Sequence, residues 1–282
     1  IKKSGLTEEL SRLESERPAL VTDVQQKKTE LDSRAKEVDA KRVEAMAEEK
    51  GVEGTLKEGK GPIYRQRIGE LAKMQDVFWA SKQYALIIIF QALDAAGKDS
   101  TIEHVMSGVN PQGVDVYSFK APTEEERLHH FLWRPMKVLP AAGTMAIFNR
   151  SYYEEVLVVR VHPAFLTGQR LPPSTLGKGL WPQRFEEINN FERYLVQNGT
   201  EIVKIYLNVS KEEQRQRLLA RIDTPEKNWK VSSGDAKERQ YWDKYQECFN
   251  DIFNHTSTDC APWYVVPADH KWFTRVVTAA IV

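Results

Sequence analysis

An apolar run, Tyr84-Ala85-Leu86-Ile87-Ile88-Ile89-Phe90, passes directly into Gln91-Ala92-Leu93-Asp94-Ala95-Ala96-Gly97-Lys98-Asp99-Ser100-Thr101. No other stretch constrains the fold as tightly. The Ile-rich run reads as a buried strand and the small residues after it as a turn. Thr101-Ile102-Glu103-His104-Val105-Met106 then reads as a helix. A strand, a tight turn and a helix start make an anion cradle. The first backbone N–H groups of a helix have no partner within it, and its dipole places positive charge there. Lys98 adds a mobile cation. The spacing departs from the common phosphate loop in two places: Ala92 holds the first glycine position, and Asp99 stands where Ser or Thr normally reaches magnesium. The loop also carries an acid, Asp94. A chance Gly-Lys pair in a surface turn is a poor account of a segment that follows an Ile-rich strand. The expected contacts to phosphate come from Ala95, Ala96, Gly97, Lys98, Asp99 and Ser100.

Further strands are expected at Gly113–Phe119, Thr144–Phe148, Ile202–Leu207 and Trp263–Val266. Helical patterns surround them: Ile68, Leu71, Met74, Val77 and Phe78 ahead of the first strand, a helix opening at Thr123, and another from about Arg184 to Val196. Ser210 before Lys211-Glu212-Glu213 reads as an N-cap. This alternation predicts an α/β fold, a P-loop-type three-layer sandwich with a mostly parallel central sheet. It is expected to occupy residues 63–282, with a helical lid at about 210–245. Residues 1–60 differ. Leu20, Val24, Leu31, Ala35 and Val38 recur at helical spacing among dense charges, which predicts a charged helical extension. It either pairs with another helix or stands as a solvated arm. Gly51, Gly54, Gly59 and Gly61 mark a linker behind it.

Lys and Arg number 40 and Asp and Glu 40, a net charge of zero that argues against a non-specific nucleic-acid binder. No apolar run approaches the roughly 20 residues that span a bilayer, and the N-terminus shows no secretory pattern. Cys248 and Cys260 have no metal-ligand spacing, so a reducing cytoplasm is the expected compartment.

Two further constellations carry chemistry. Asn149-Arg150-Ser151-Tyr152-Tyr153-Glu154-Glu155 begins at a strand end, where ligands collect in open α/β sheets. Asn149 occupies the place of the usual magnesium-holding Asp. A hard cation takes oxygen ligands, so Asp94 and Glu155 are candidates to share one; the alternative is that Glu154 and Glu155 only open a helix. Arg150 is suited to an oxyanion. The other constellation is basic: Arg215, Arg217 and Arg221 on one helix, then Lys227 and Lys230 in a turn-rich flap. Such a flap suits a highly charged phosphate donor, against the plainer reading of a solvated basic helix. Arg160 and Lys204 are candidates for a longer positive track, with Lys120, Arg127, Arg134 and Lys137 behind them.

These residues resemble the family-2 polyphosphate kinases. The run Gln91 to Asp99 looks like that family's phosphate loop, internal Asp included. Ser107-Gly-Val-Asn-Pro-Gln-Gly-Val is similar to the loop after its first helix, and Asn149 through Arg160 to its second motif. Ser210 through Lys230 looks like its lid, and Ala261-Pro262-Trp263-Tyr264-Val-Val-Pro267 like its last strand. The resemblance covers roughly residues 63 to 282. It implies magnesium-dependent transfer of a terminal phosphoryl group between inorganic polyphosphate and a nucleoside mono- or diphosphate. By the same resemblance Asp94 and Glu155 organise the metal, Lys98 and Arg150 stabilise the moving group, and a homo-oligomer is expected. Glu155 departs from the Asp expected there. An ATP-using nucleoside or nucleoside-monophosphate kinase is the alternative enzyme, and a non-catalytic phosphate-binding scaffold the alternative outside enzymes.

Overall fold

The computed structural model describes residues 61–177, 179–230 and 233–282, so the extension expected over residues 1–60 lies outside the described residues. In chain order the main elements are α1 (Pro62–Ser81), β1 (Ala85–Ala92), α2 (Lys98–Val105), β2 (Val114–Ser118), β3 (Met145–Asn149), α3 (Leu180–Gln197), β4 (Thr200–Asn208), α4 (Lys211–Asp223), α5 (Ser233–Glu238), α6 (Trp242–Thr256), β5 (Trp263–Pro267) and α7 (Lys271–Ile281). One-turn helices fill the connections. The five strands form one sheet in the order β2-β3-β1-β4-β5, every pairing parallel. The expected α/β sandwich is observed.

β1 sits at the centre and is apolar on both faces. Ile87 and Ile89 turn to one core with Phe185, Ile188, Phe249 and Ile252 from α3 and α6. Ile88 and Phe90 turn to the other with Ile102 from α2 and Val266 from β5. The period-2 alternation of strand side chains explains this split. The four residues are 0–1 % exposed, and burying each contributes roughly 1.5–3 kcal/mol. A buried parallel strand needs this near-continuous apolar sequence. Its neighbours in the sheet, β3 and β4, flank it on opposite sides. The carboxyl end of β1 is therefore where the strand order turns, and the crevice opens there.

One expected helix does not form. At Thr123 the reciprocal capping contacts are made, with Glu126 N–H donating to Thr123 Oγ1 at 3.2 Å and Thr123 N–H to Glu126 Oε2 at 2.7 Å. Yet only a single 3-10 turn, Glu126–Leu128, follows. Leu128 is 57 % exposed, and without an apolar stripe to bury, a cap alone does not sustain a helix. Ser210 does cap α4, its Oγ accepting from Glu213 N–H at 3.2 Å. Among the described residues, no helix is long and apolar enough to cross a membrane.

Candidate active site

β1 ends in the loop Leu93–Gly97, which delivers the chain to the N-terminus of α2. The reversal is tight. Ala95 has φ +61°, and Gly97 has φ +97°, a conformation that costs glycine little and a residue with a Cβ about 1–2 kcal/mol. Thr101 closes the first turn, its N–H and Oγ1 both donating to Gly97 O. The N–H groups at the start of α2 are thereby left without intrahelical acceptors. Arg217 on α4 clamps the loop from outside. Its Nη1 donates to Ala95 O and Ala96 O at 3.2 and 2.8 Å, and its Nη2 to Ala268 O and Asp269 O at 2.7 and 2.9 Å.

The end of β3 brings the second set of groups. Arg150 has φ +64° and hooks its N–H onto Phe90 O at 3.1 Å, a backbone outlier of the kind that clusters at functional sites. Its Nη2 lies 3.2 Å from Asp94 Oδ1. Asn149 Nδ2 donates to Asp99 Oδ1 at 2.6 Å, so the magnesium position of the usual motif is here an Asn–Asp pair. Gln91, with its amide oriented to satisfy its neighbours, donates to Glu154 Oε1 at 3.0 Å and accepts from Ser151 Oγ at 3.1 Å. Burial raises the pKa of Glu154, with Arg150 and Lys98 opposing. Burial and then the Arg150 charge lower that of Lys98, with Glu154, Asp94 and Asp99 opposing. Two cations and three carboxylates thus share one electrostatic neighbourhood at the strand tips.

A cleft of about 240 Å3 opens on this cluster. Asp94, Arg150 and Glu154 form its polar wall, and Asp235, Glu238 and Tyr245 come from the opposite side. Tyr245 donates to Glu238 Oε2 at 2.7 Å, and His162 Nε2 is 3.0 Å from the same oxygen. Gln214 Nε2 ties helix α4 to Asp94 O at 3.0 Å.

The structure gathers Asp94, Lys98, Asp99, Asn149 and Arg150, with Ala95, Ala96, Gly97 and Ser100 forming the loop around them. It does not bring Glu155 to Asp94. Glu155 is 6 % exposed, accepts from Gln169 Nε2 at 2.7 Å and lies 3.4 Å from Arg184 Nε. The acid that joins Asp94 is Glu154, because Tyr152–Val156 is a 3-10 turn that sends adjacent side chains about 120° apart. Lys204 is fully buried and bonded to Glu192, Tyr153 and Thr256, so it cannot line a phosphate track. Arg160 pairs with Asp251 at 2.5 Å and Arg221 with Asp235 at 2.9 Å. Arg217 is committed to loop carbonyls. Lys227 and Lys230 lie in the turn Pro225–Lys230, and their side chains lie outside what the structure describes. Sequence reading gave Glu154 no role of its own beside Glu155, and missed Gln214 and Glu238, which carry no local signal beyond sitting in the segment expected to form a lid.

A glycine-containing loop between a central parallel strand and a helix, with a lysine at the helix start and an arginine from the next strand, defines a P-loop kinase-like phosphotransferase. The model of the family Polyphosphate kinase 2 (PPK2) matches residues 57–282. The chain belongs to that family. It is 49 % identical over 221 residues to the ADP-polyphosphate phosphotransferase of Rhodopseudomonas palustris, covering 78 % of this chain and 76 % of the relative. It is 45 % identical over 211 residues to the AMP/ADP-polyphosphate phosphotransferase of Meiothermus ruber, covering 75 % of each. The crystal structure of polyphosphate kinase 2 from Arthrobacter aurescens TC1 superposes with a TM-score of 0.72 at 42 % identity, covering 77 % of this chain and 75 % of that one.

Proposed function

We infer that this protein transfers a terminal phosphoryl group between inorganic polyphosphate and a nucleoside diphosphate, with nucleoside monophosphates as further acceptors. The observation that carries this reading is that Asp94, Arg150 and Glu154 line one strand-tip cleft, within reach of the Lys98 charge at the start of α2. In the synthetic direction a terminal phosphate oxygen of the acceptor attacks the terminal phosphorus of the polymer. The bridging P–O bond breaks, and the polymer leaves one unit shorter. The protein has little covalent work in such a transfer and acts by positioning and charge. The α2 N–H groups and Lys98 hold phosphate oxygens at the loop, and Arg150 faces the charge that develops between donor and acceptor. Asp94 holds Arg150 in place, while Glu154 offsets the cationic pair.

Magnesium fits the donor set. Among the described residues no three His, Cys, Asp or Glu side chains gather into a metal cage. One or two carboxylates beside a phosphate cradle are what magnesium uses when it arrives with its substrate. Asp94, with Glu154 behind it, would hold the ion, which when bound neutralises phosphate oxygens. The test is incubation with ADP, magnesium and polyphosphate in the absence of ATP. ATP formation is expected. Failure to form ATP, together with activity on ATP and a nucleoside monophosphate, would replace this reading with an ATP-dependent kinase.

A further inference from the structure

Lys204 and Glu192 are the most completely buried ion pair among the described residues, both side chains 0 % exposed and 2.6 Å apart. The surrounding network leaves nothing unspent on the ammonium. Nζ donates to Glu192 Oε2 at 2.6 Å, to Thr256 O at 2.7 Å and to Tyr153 Oη at 2.9 Å. The other carboxylate oxygen, Glu192 Oε1, accepts from Tyr152 OH and Tyr153 OH, both at 2.8 Å. Trp263 Nε1 donates to Thr256 Oγ1 at 3.1 Å, and its ring meets that of Tyr153 edge-on at 4.8 Å. Five elements, β4, α3, α6, β5 and the turn Tyr152–Val156, are joined at this point.

A buried pair of this kind costs much to desolvate, and well-packed apolar residues of similar volume often serve stability as well or better. What the charges add is direction. Two tyrosine hydroxyls are drawn onto one carboxylate oxygen, and those tyrosines immediately precede Glu154. In a 3-10 turn three residues complete a revolution. Once Tyr152 and Tyr153 are pinned into the core, the next side chain has one direction left, toward the cleft. Ser151 fixes the entry to the turn, its Oγ accepting from Tyr153 N–H at 3.2 Å. Gln91 on β1 then receives the Glu154 carboxylate.

We propose that Lys204, Glu192, Tyr152 and Tyr153 are positioning residues for the reaction: a buried frame behind the sheet that aims Glu154 at Lys98 and Arg150. The inference rests on the proposed function only for its kinetic readout. Two variants test it. Tyr153→Phe removes the single hydroxyl shared by Lys204 and Glu192 without changing the ring. The double variant Lys204→Met with Glu192→Leu replaces the whole pair by apolar side chains of similar size. In each folded variant kcat for ATP formation from ADP and polyphosphate is expected to fall about 10- to 100-fold, the scale of a small misplacement of a reacting group. KM for polyphosphate should change less than about twofold, because the loop and Lys98 are untouched. A merely structural role would lower the melting temperature and leave kcat of the folded protein alone. Should the double variant not fold, Tyr153→Phe decides the matter; a folded variant with kcat within about twofold of wild type overturns the proposal. Crystal structures of the same variants give a readout that does not depend on turnover. Loss of the contact between Gln91 Nε2 and Glu154 supports the frame, and its retention in both variants overturns it. A wild-type enzyme inactive with polyphosphate would sink the functional reading while leaving this structural comparison decisive.

Discussion

At the scale of single residues, the site turns on which acid faces which cation. Lys98 and Arg150 lie close enough for each to feel the other's charge, and Asp94, Asp99 and Glu154 offset them. Lys98→Ala and Asp94→Asn are each expected to lower kcat by about 10²- to 10³-fold, the range seen when one charge-stabilising group is lost. Circular dichroism should show an intact fold, since both side chains are half-buried at the loop and neither belongs to the core. Glu154 gives a test with a sign. Burial raises its pKa above the ordinary 4.5, so it keeps its proton to higher pH than an exposed glutamate. If its charge is needed to balance Lys98 and Arg150, kcat falls as pH drops through that raised value, and Glu154→Gln lowers kcat and removes the limb. Linkage runs the other way for stability. A raised folded pKa favours the protonated form, and its contribution is lost as pH rises. Glu154→Gln should therefore melt no lower than wild type at neutral pH. The adjacent pair Glu154-Glu155 shows where reading the sequence stops: both letters are the same, and only the pitch of the turn separates a cleft acid from one bonded to Gln169 and Arg184.

At the scale of elements, helix α4 is part of the support of the loop after β1. Arg217 was expected to meet phosphate, and its charge is instead divided among four carbonyls of the loop and of the turn after β5, with Glu213 Oε1 at 2.7 Å from its Nε. Arg217→Met keeps the apolar stem and removes every donor. The loss of these charge-assisted bonds should cost about 3 kcal/mol, or roughly 6–12 °C in melting temperature for a domain of this size. Thermal unfolding measures it, and a variant as stable as wild type would show that the clamp contributes little. Arg221 is similar, since Asp235 on α5 takes the charge that the sequence offers to a ligand. Helix periodicity placed both arginines on one helix, and both lie on α4. What each one binds depends on segments far away in the chain.

For the whole molecule, the parallel order β2-β3-β1-β4-β5 puts the ends of β1 and β3 side by side, and every proposed catalytic group except Glu154 sits on those two strand tips or the helix start between them. Glu154 follows within the next turn. A protein-only metal cage is absent among the described residues, so a chelator such as EDTA should abolish turnover without changing the melting temperature. Added magnesium should restore activity fully. A drop in melting temperature on chelation would point to a structural ion instead.

Much of this was legible beforehand. The Ile-rich strand, the small-residue turn, the Ser210 cap and the alternation of elements follow from backbone sterics and side-chain period, which act over a few neighbouring residues. The loop Asp94 to Lys98 and Arg150 belong to the same class, because each lies at the end of a strand that announces itself. Burial and partner choice are set by residues distant in the chain, and there the tertiary structure alone decided. Lys204 reads as a candidate for a phosphate track until β4 is found between β1 and β5 with Glu192 against it. A lone charge in that place would be prohibitive and a paired one is not, and Lys204 is fifty-two residues from Thr256, its third partner.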